Sequence, residues 1–167
     1  MKLKQGDTAP VFQLPAIEGD PFNLETLKGK RYLLSFFRFA SCPFCNLRLH
    51  QLITRLNEFD EKFTLIAVFN SPLENLTEHV DKHQSPFPIL ADEKGIIYQH
   101  YGVEKSFIGV LKGMIFRMPT LLKAMFIKGY FPSKRQGSMT TMPVDFLIDE
   151  QGIIQTAYYG KDEGDHL

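Results

Sequence analysis

Short apolar runs mark the predicted strands in the first part of the chain. Val11–Leu14 and Pro21–Leu24 flank the turn-forming residues 18–20, a pattern that predicts a small N-terminal hairpin. Arg31–Phe37 and Phe63–Phe69 are nearly continuous in apolar and aromatic residues. Strands that are buried on both faces have this composition, so we expect both runs in the interior of a sheet.

Helical periodicity follows the first long strand. Apolar residues between Cys42 and Phe59 recur at a spacing close to 3.6 residues, which predicts an amphipathic helix. Pro72–His83 is a second predicted helix, with proline at its first position. Ser106–Tyr130 predicts one or two further helices that break near Pro119.

The second half of the chain closes with a predicted hairpin. Val144–Ile148 and Ile153–Tyr159 read as strands around a turn at residues 149–152. Strands that alternate with helices and end in a hairpin predict an α/β fold, with a central mixed β-sheet flanked by helices. We expect a single domain over residues 1–167, with a helical insertion at residues 104–135.

Composition and charge narrow the function classes. The chain carries 19 basic and 19 acidic residues, so overall charge gives no reason to expect nucleic-acid binding. No run of about 18 apolar residues is present, so we expect no membrane span. The start of the sequence lacks the pattern of a signal peptide, which favours a cytoplasmic location.

Two cysteines, Cys42 and Cys45, lie at the predicted junction between a strand and a helix. Their spacing brings both sulfurs to one side of the first helical turn. Unpaired N–H groups and the helix dipole stabilise an anion there, so a thiol pKa falls from about 8.5 to roughly 3.5–7.5. We expect Cys42 to attack, Cys45 to resolve, and the intervening Pro43 and Phe44 to contact substrate.

Two other interpretations of the cysteine pair are open. The cysteines could be inert core residues, although a strand-to-helix junction is an unusual place for them. They could also form half of a zinc site, which needs four ligands and usually a second cysteine pair. No other cysteine occurs in the chain, so we expect neither a metal nor a cofactor.

Several segments match a known family in their order and spacing. They are residues 6–15, 22–30, 86–92, 98–103, 142–154 and 159–166. The chain resembles the thioredoxin superfamily, specifically the peroxiredoxin-like alkyl hydroperoxide reductase and thiol-specific antioxidant (AhpC/TSA) branch, here with a CxxC motif. The resemblance implies a thioredoxin-like fold in which Pro143 is a cis-proline that faces the cysteines. Met142, before it, would offer backbone hydrogen bonds to an extended substrate.

The chain departs from the peroxiredoxin pattern of a proline, then a threonine or serine, then the reactive cysteine. Counting back from Cys42, these two positions hold Ser35 and Phe39; counting back from Cys45, they hold Arg38 and Cys42. The motif therefore favours disulfide exchange, whereas the similarity of the whole chain favours a peroxidase.

Three accessory residues are candidates for supporting roles. Arg38 is the nearest substitute for the arginine with which the family polarises peroxide, and Ser41 lies in the same loop. Thioredoxin carries a buried aspartate near its cysteines, and Asp145 either substitutes for it or faces solvent.

The region between Lys105 and Arg135 contains no acidic residue. Its seven basic residues are Lys105, Lys112, Arg117, Lys123, Lys128, Lys134 and Arg135. We expect an apolar helix that packs on the sheet, with basic side chains extending along its edges. The alternative is a binding surface for an acidic partner, an anionic substrate or a membrane.

These observations predict a thiol–disulfide oxidoreductase that acts in antioxidant defence through the Cys42/Cys45 pair. The first alternative is a thiol peroxidase that reduces hydrogen peroxide or organic hydroperoxides; the second is a non-catalytic, redox-sensing binding module. The expected partners are a disulfide or peroxide substrate and a reducing dithiol such as a thioredoxin or glutaredoxin system. The chain lacks the final helix that normally covers a thioredoxin-like sheet, so a homodimer is also an option.

Overall fold

The computed structural model describes residues 1–59, 63–132 and 136–167. The strands are β1 (Gln13–Leu14), β2 (Phe22–Asn23), β3 (Arg31–Phe37), β4 (Phe63–Phe69), β5 (Ile89–Ala91), β6 (Val144–Ile148) and β7 (Ile154–Tyr159). The α-helices are α1 (Pro43–Thr54), α2 (Leu73–Val80), α3 (Ile96–His100), α4 (Phe107–Phe116) and α5 (Met118–Leu122). A π-helical turn at Lys123–Ile127 continues α5, and 3₁₀ turns occupy Leu24–Leu27, Leu56–Glu58 and Asp81–His83.

The main sheet has five strands in the order β5-β4-β3-β6-β7. β3 lies at its centre, parallel to β4 and antiparallel to β6, so the predicted mixed sheet is confirmed. β1 and β2 pair antiparallel as the predicted N-terminal hairpin. β6 and β7 form the predicted closing hairpin. Within the described residues, no helix combines the length and hydrophobicity needed to cross a bilayer.

The apolar run of β3 supplies both faces of the sheet with core residues. Leu34 and Phe36 belong to one hydrophobic cluster, which includes Tyr101. Leu33 and Phe37 point the other way, into a second cluster that contains both cysteines. Successive side chains of a strand alternate between faces, so a nearly continuous apolar run, here with the buried Ser35 within it, is typical of a doubly covered central strand.

The region predicted as an insertion, residues 104–135, forms helices over its described part, and residues 133–135 lie outside the described residues. The helical break occurs at Arg117, and Pro119 lies in the first turn of α5. Proline is tolerated there because the first N–H groups of a helix have no partner inside the helix.

The expectation that α4 packs its apolar side on the sheet is wrong. The helix buries Gly109, Val110 and Gly113 and leaves most of its large apolar side chains exposed. A Cβ atom at Gly113 would lie 2.4 Å from Cγ of Glu163. Only glycine allows the helix backbone to come so close to this segment, so the bulky side chains face outward.

Candidate active site

The two cysteines lie where β3 gives way to α1. Cys42 is the N-cap of the helix, with an extended backbone (φ −65°, ψ 122°), and Pro43 follows in the first turn. Cys45 is one turn further along. Both are free thiols and are almost completely buried, with 0% and 1% exposure.

Asn46 shapes the loop that precedes the helix. Its side-chain amide donates to the carbonyl oxygens of Ala40 (2.7 Å) and Cys42 (3.0 Å). Ala40 in turn donates its N–H to Oγ of Ser71 at 2.9 Å. These hydrogen bonds hold the Cys42 backbone in place, and no local sequence pattern indicates this role of Asn46.

The two thiols differ in acidity. Burial raises the pKa of Cys42, but the hydrogen bond from the Cys45 thiol and the positive charge of Arg38 outweigh it, so the pKa is lowered. The backbone N–H of Cys45 also favours the Cys42 thiolate. Burial and the adjacent Cys42 sulfur raise the pKa of Cys45 well above its usual value. The site therefore favours the thiolate form of Cys42 over that of Cys45.

Arg38 is the charged group next to the Cys42 sulfur. Its Nη1 lies 3.9 Å from Sγ of Cys42 and also donates to the carboxylate of Glu163. Its Nη2 donates to the carbonyl oxygen of Met139. Nε of Arg38 is buried and has no hydrogen-bond partner among the described residues. The guanidinium is thus held rigidly and retains one donor.

Glu163 is a site residue that sequence reasoning missed. Its carboxylate is buried against Arg38, and burial raises its pKa while Arg38 partly offsets the rise. Arg38 and Glu163 are 125 positions apart, so no local pattern could connect them.

A small pocket of about 220 Å³ opens over Cys42. Its polar groups come from Arg38 and Glu163, beside Pro43 and Phe44. The other lining residues are apolar: Phe39, Val110, Met114, Leu121, Met125, Pro132 and Met139. The pocket therefore places the Cys42 sulfur and the Arg38 guanidinium among apolar residues, where electrostatic interactions are stronger than in water.

Met142 and Pro143 lie in the segment that leads into β6. The described residues contain no cis peptide bond, so the bond between these two residues is trans, and the expected cis-proline is absent. The Met142 N–H donates to the carbonyl oxygen of Glu104 at 2.9 Å. The N–H group that was expected to bind substrate is therefore already paired within the protein. Trans is also the isomer that X–Pro bonds favour in general, by about 0.5–1 kcal/mol.

The AhpC/TSA family model matches residues 5–157. This chain belongs to the AhpC/TSA family. Peroxiredoxin Bcp of Escherichia coli (strain K12) is 31% identical over 125 residues, which cover 73% of this chain and 80% of the relative. The family predicted from the sequence segments is thus confirmed, and the protein is a thioredoxin-fold oxidoreductase.

Solved structures agree on the fold of this AhpC/TSA protein. Peroxidoxin BcpB from Mycobacterium tuberculosis has a TM-score of 0.71 at 19% identity, covering 98% of this chain and 90% of that one. The thiol peroxidase from Chromobacterium violaceum has a TM-score of 0.67 at 15% identity, covering 100% of this chain and 82% of that one. The predicted thioredoxin-like fold is confirmed.

The two other predicted accessory residues of the AhpC/TSA protein, Ser41 and Asp145, differ in their contacts. Ser41 is buried, and its hydroxyl has no hydrogen-bond partner among the described residues. Asp145 is fully buried rather than solvent-facing. Its carboxylate lies 3.1 Å from Nδ1 of His166 and accepts from the Leu167 N–H at 2.7 Å. Among the described residues, the hydrogen bonds of the Asp145 carboxylate are made to the C-terminal segment and not directly to either cysteine.

We expect Asp145→Asn to destabilise the protein by about 1–3 kcal/mol, because the buried hydrogen-bond acceptor for Leu167 loses its charge. Burial raises the pKa of Asp145, but His166 and the hydrogen bonds lower it overall. A carboxyl with a depressed folded pKa stabilises the fold above its unfolded pKa of about 3.9 and loses that contribution as pH falls. Urea unfolding should therefore show the full difference at neutral pH and a smaller one in acid.

The exposed Asp20→Asn is the matched control for this substitution, because Asp20 makes no hydrogen bond or ion pair in the described structure. Equal stabilities of the Asp145 and Asp20 variants across the pH range would contradict the assigned role of the buried carboxylate.

Proposed function

We propose that this protein is a thiol peroxidase in which Cys42 reduces peroxide and Cys45 resolves the oxidised sulfur. The observation that carries the proposal is the Cys42 sulfur beside the Arg38 guanidinium, at 3.9 Å, in an apolar pocket. A lowered thiol pKa at a helix N-terminus supports an enzyme over a passive binding module. Relatives named peroxiredoxin and thiol peroxidase support the same choice.

In the first step the Cys42 thiolate attacks one oxygen of the peroxide, and the O–O bond breaks. The sulfur becomes a sulfenic acid, and the leaving oxygen takes up a proton to depart as water or an alcohol. Negative charge develops on that oxygen in the transition state. Arg38 carries a positive charge and an unpaired Nε donor in the buried site, so it can stabilise this charge.

In the second step the Cys45 sulfur attacks the sulfenic sulfur of Cys42. An S–S bond forms, and the sulfenic oxygen leaves as water with the thiol proton of Cys45. Cys45 is neutral before this step, so it does not compete with Cys42 for peroxide. An external dithiol of the thioredoxin or glutaredoxin class then exchanges with the disulfide and restores both thiols.

The burial of Cys42 also favours a peroxide over a protein disulfide as the first substrate. The Cys42 sulfur belongs to a residue with 0% exposure and is reached through a pocket of about 220 Å³. A peroxide group fits such a pocket, whereas a folded protein disulfide does not reach the sulfur without rearrangement. The same argument requires the oxidised pair to become more exposed before an external dithiol reduces it.

Stopped-flow mixing of the fully reduced protein with hydrogen peroxide or tert-butyl hydroperoxide tests the proposal. We expect second-order loss of both thiols at least about 10²-fold faster than for free cysteine, the scale of one well-placed electrostatic group. Insulin reduction by the same protein is measured in parallel. Peroxide oxidation no faster than for free cysteine, together with rapid insulin reduction, would replace the peroxidase by a disulfide reductase.

A further inference from the structure

We propose that α4, α5 and the π-helical turn dock this protein onto a bilayer that contains anionic lipids. The apolar side chains that carry the proposal are 60–78% exposed: Phe107, Ile108, Ile115, Phe116, Phe126 and Ile127. We call this surface the 107–127 face. A soluble monomer seldom exposes a contiguous apolar patch larger than a few hundred Å², and larger ones mark interaction surfaces.

The packing of α4 shows that these side chains are not part of the core. Its buried side consists of Gly109, Val110 and Gly113, and the two glycines lie against Met142 and Glu163. The helix thus presents its smallest residues to the protein and its largest apolar residues outward. An amphipathic helix that covers a sheet has the opposite arrangement.

Basic side chains accompany the exposed apolar ones. Lys112 and Lys123 are exposed and form no ion pair in the described part of the chain. Arg117 differs, since Asp162 and Asp165 neutralise it. The sequence from residue 105 to residue 144 contains no acidic residue, although the whole chain is electrically neutral. Positive charge is therefore concentrated on the face that exposes the apolar side chains.

Charge complementarity favours an anionic bilayer over a second copy of the chain. Two copies joined through this face would bring their lysines together without any acidic residue of the segment to balance them. A lipid surface with anionic headgroups supplies that charge, while the interfacial region accepts phenylalanine and isoleucine. Helices that lie in the plane of the interface combine these two features.

The location of the face connects it to the cysteine pocket. Met114 is exposed at the face and also lines the pocket over Cys42. Docking would therefore hold the pocket beside the membrane. Any role of docking in catalysis rests on the proposed peroxidase function. The docking itself is measured without redox chemistry, so it can fail while the peroxidase proposal stands.

Co-sedimentation of the reduced, full-length chain with sucrose-loaded vesicles tests docking. We expect retention on vesicles that contain about 30% phosphatidylglycerol, with weaker retention on pure phosphatidylcholine. Higher salt should release the protein, because the Debye length falls from about 10 Å at 0.1 M to about 3 Å at 1 M. No retention at low salt on either vesicle would overturn the proposal.

Two double variants separate the apolar and the electrostatic contributions. Phe107→Ser with Phe126→Ser should abolish retention, and Lys112→Glu with Lys123→Glu should weaken it by at least about 25-fold, at roughly fivefold per lysine removed. The matched controls are Val11→Ser with Ile96→Ser and Lys28→Glu with Lys94→Glu, all exposed residues outside the face. Circular dichroism establishes that each variant is folded.

Sedimentation velocity distinguishes lipid docking from self-association. We expect the chain without vesicles to sediment independently of concentration. A dimer that the Phe107→Ser, Phe126→Ser variant dissociates would assign the face to a second copy and overturn the proposal. Equal vesicle binding by the face variants and their controls would overturn it as well.

Discussion

Replacing Cys42 with serine is expected to lower the rate of peroxide-dependent oxidation by at least about 10³-fold, since the nucleophile itself is lost. Cys45 does not replace it, because burial, the largest cause of its raised pKa, is still present in this variant. Stopped-flow oxidation with hydrogen peroxide measures the rate, and thiol counting after the reaction shows whether the remaining Cys45 thiol has reacted.

Cys45→Ser is the matched control for this loss. Serine keeps a hydroxyl that can donate to the Cys42 sulfur, so the first oxidation step should stay within about tenfold of the unmodified protein, about 1.4 kcal/mol in barrier height. The reaction should then stop at a sulfenic acid on Cys42, which dimedone traps as a mass adduct. If Cys42→Ser were oxidised rapidly and Cys45→Ser slowly, the roles of the two cysteines would be exchanged.

The second large effect concerns the pair of Arg38 and Glu163. Arg38→Met combined with Glu163→Gln removes both buried charges at once, so neither is left without its partner. Burial of Cys42 is then no longer opposed by a cation, and its pKa should rise. We expect peroxide oxidation at pH 7 to slow by about 10²–10³-fold, the cost of losing one positioned charge-stabilising donor.

Glu163→Gln alone should change the pKa of Cys42 in the opposite direction. The negative charge of Glu163 raises the pKa of Cys42, so its removal should lower that pKa further while Arg38 remains. The pH dependence of iodoacetamide alkylation measures both shifts, on a Cys45→Ser background that leaves a single thiol.

The exposed pair of Arg55 and Glu58 offers a matched control for the double substitution. These side chains form an ion pair at 2.7 Å on the surface. Arg55→Met with Glu58→Gln should therefore leave the pKa of Cys42 and the oxidation rate unchanged. If Arg38→Met, Glu163→Gln also left both unchanged, Arg38 would have no part in the proposed chemistry.

The order and type of the main elements could be predicted from the sequence. The run Arg31–Phe37 is one uninterrupted strand, as predicted, because a central strand with two covered faces is rich in apolar residues. The hairpins at both ends of the chain were marked by turn residues between apolar runs. Each of these patterns is local, so sequence alone determines it.

The chemistry of the cysteine pair was predictable in part for the same reason. Cys42 and Cys45 are separated by one helical turn at a strand-to-helix junction, and both spacing and junction can be read from neighbouring residues. The helix is shorter than predicted, since α1 ends at Thr54 and a 3₁₀ turn follows at Leu56–Glu58. Helix ends depend on tertiary contacts that periodicity does not encode.

Contacts between distant segments were decided only by the tertiary structure. Arg38 was predicted as an accessory residue, but its partner Glu163 lies 125 positions away. The two side chains meet only when the segment after β7 packs against the loop after β3. Asp145 meets His166 in the same way. The outward orientation of α4 depends on the close approach of Gly113 to Glu163. Local sequence determines which elements form, whereas long-range packing determines which side chains meet and which faces stay exposed.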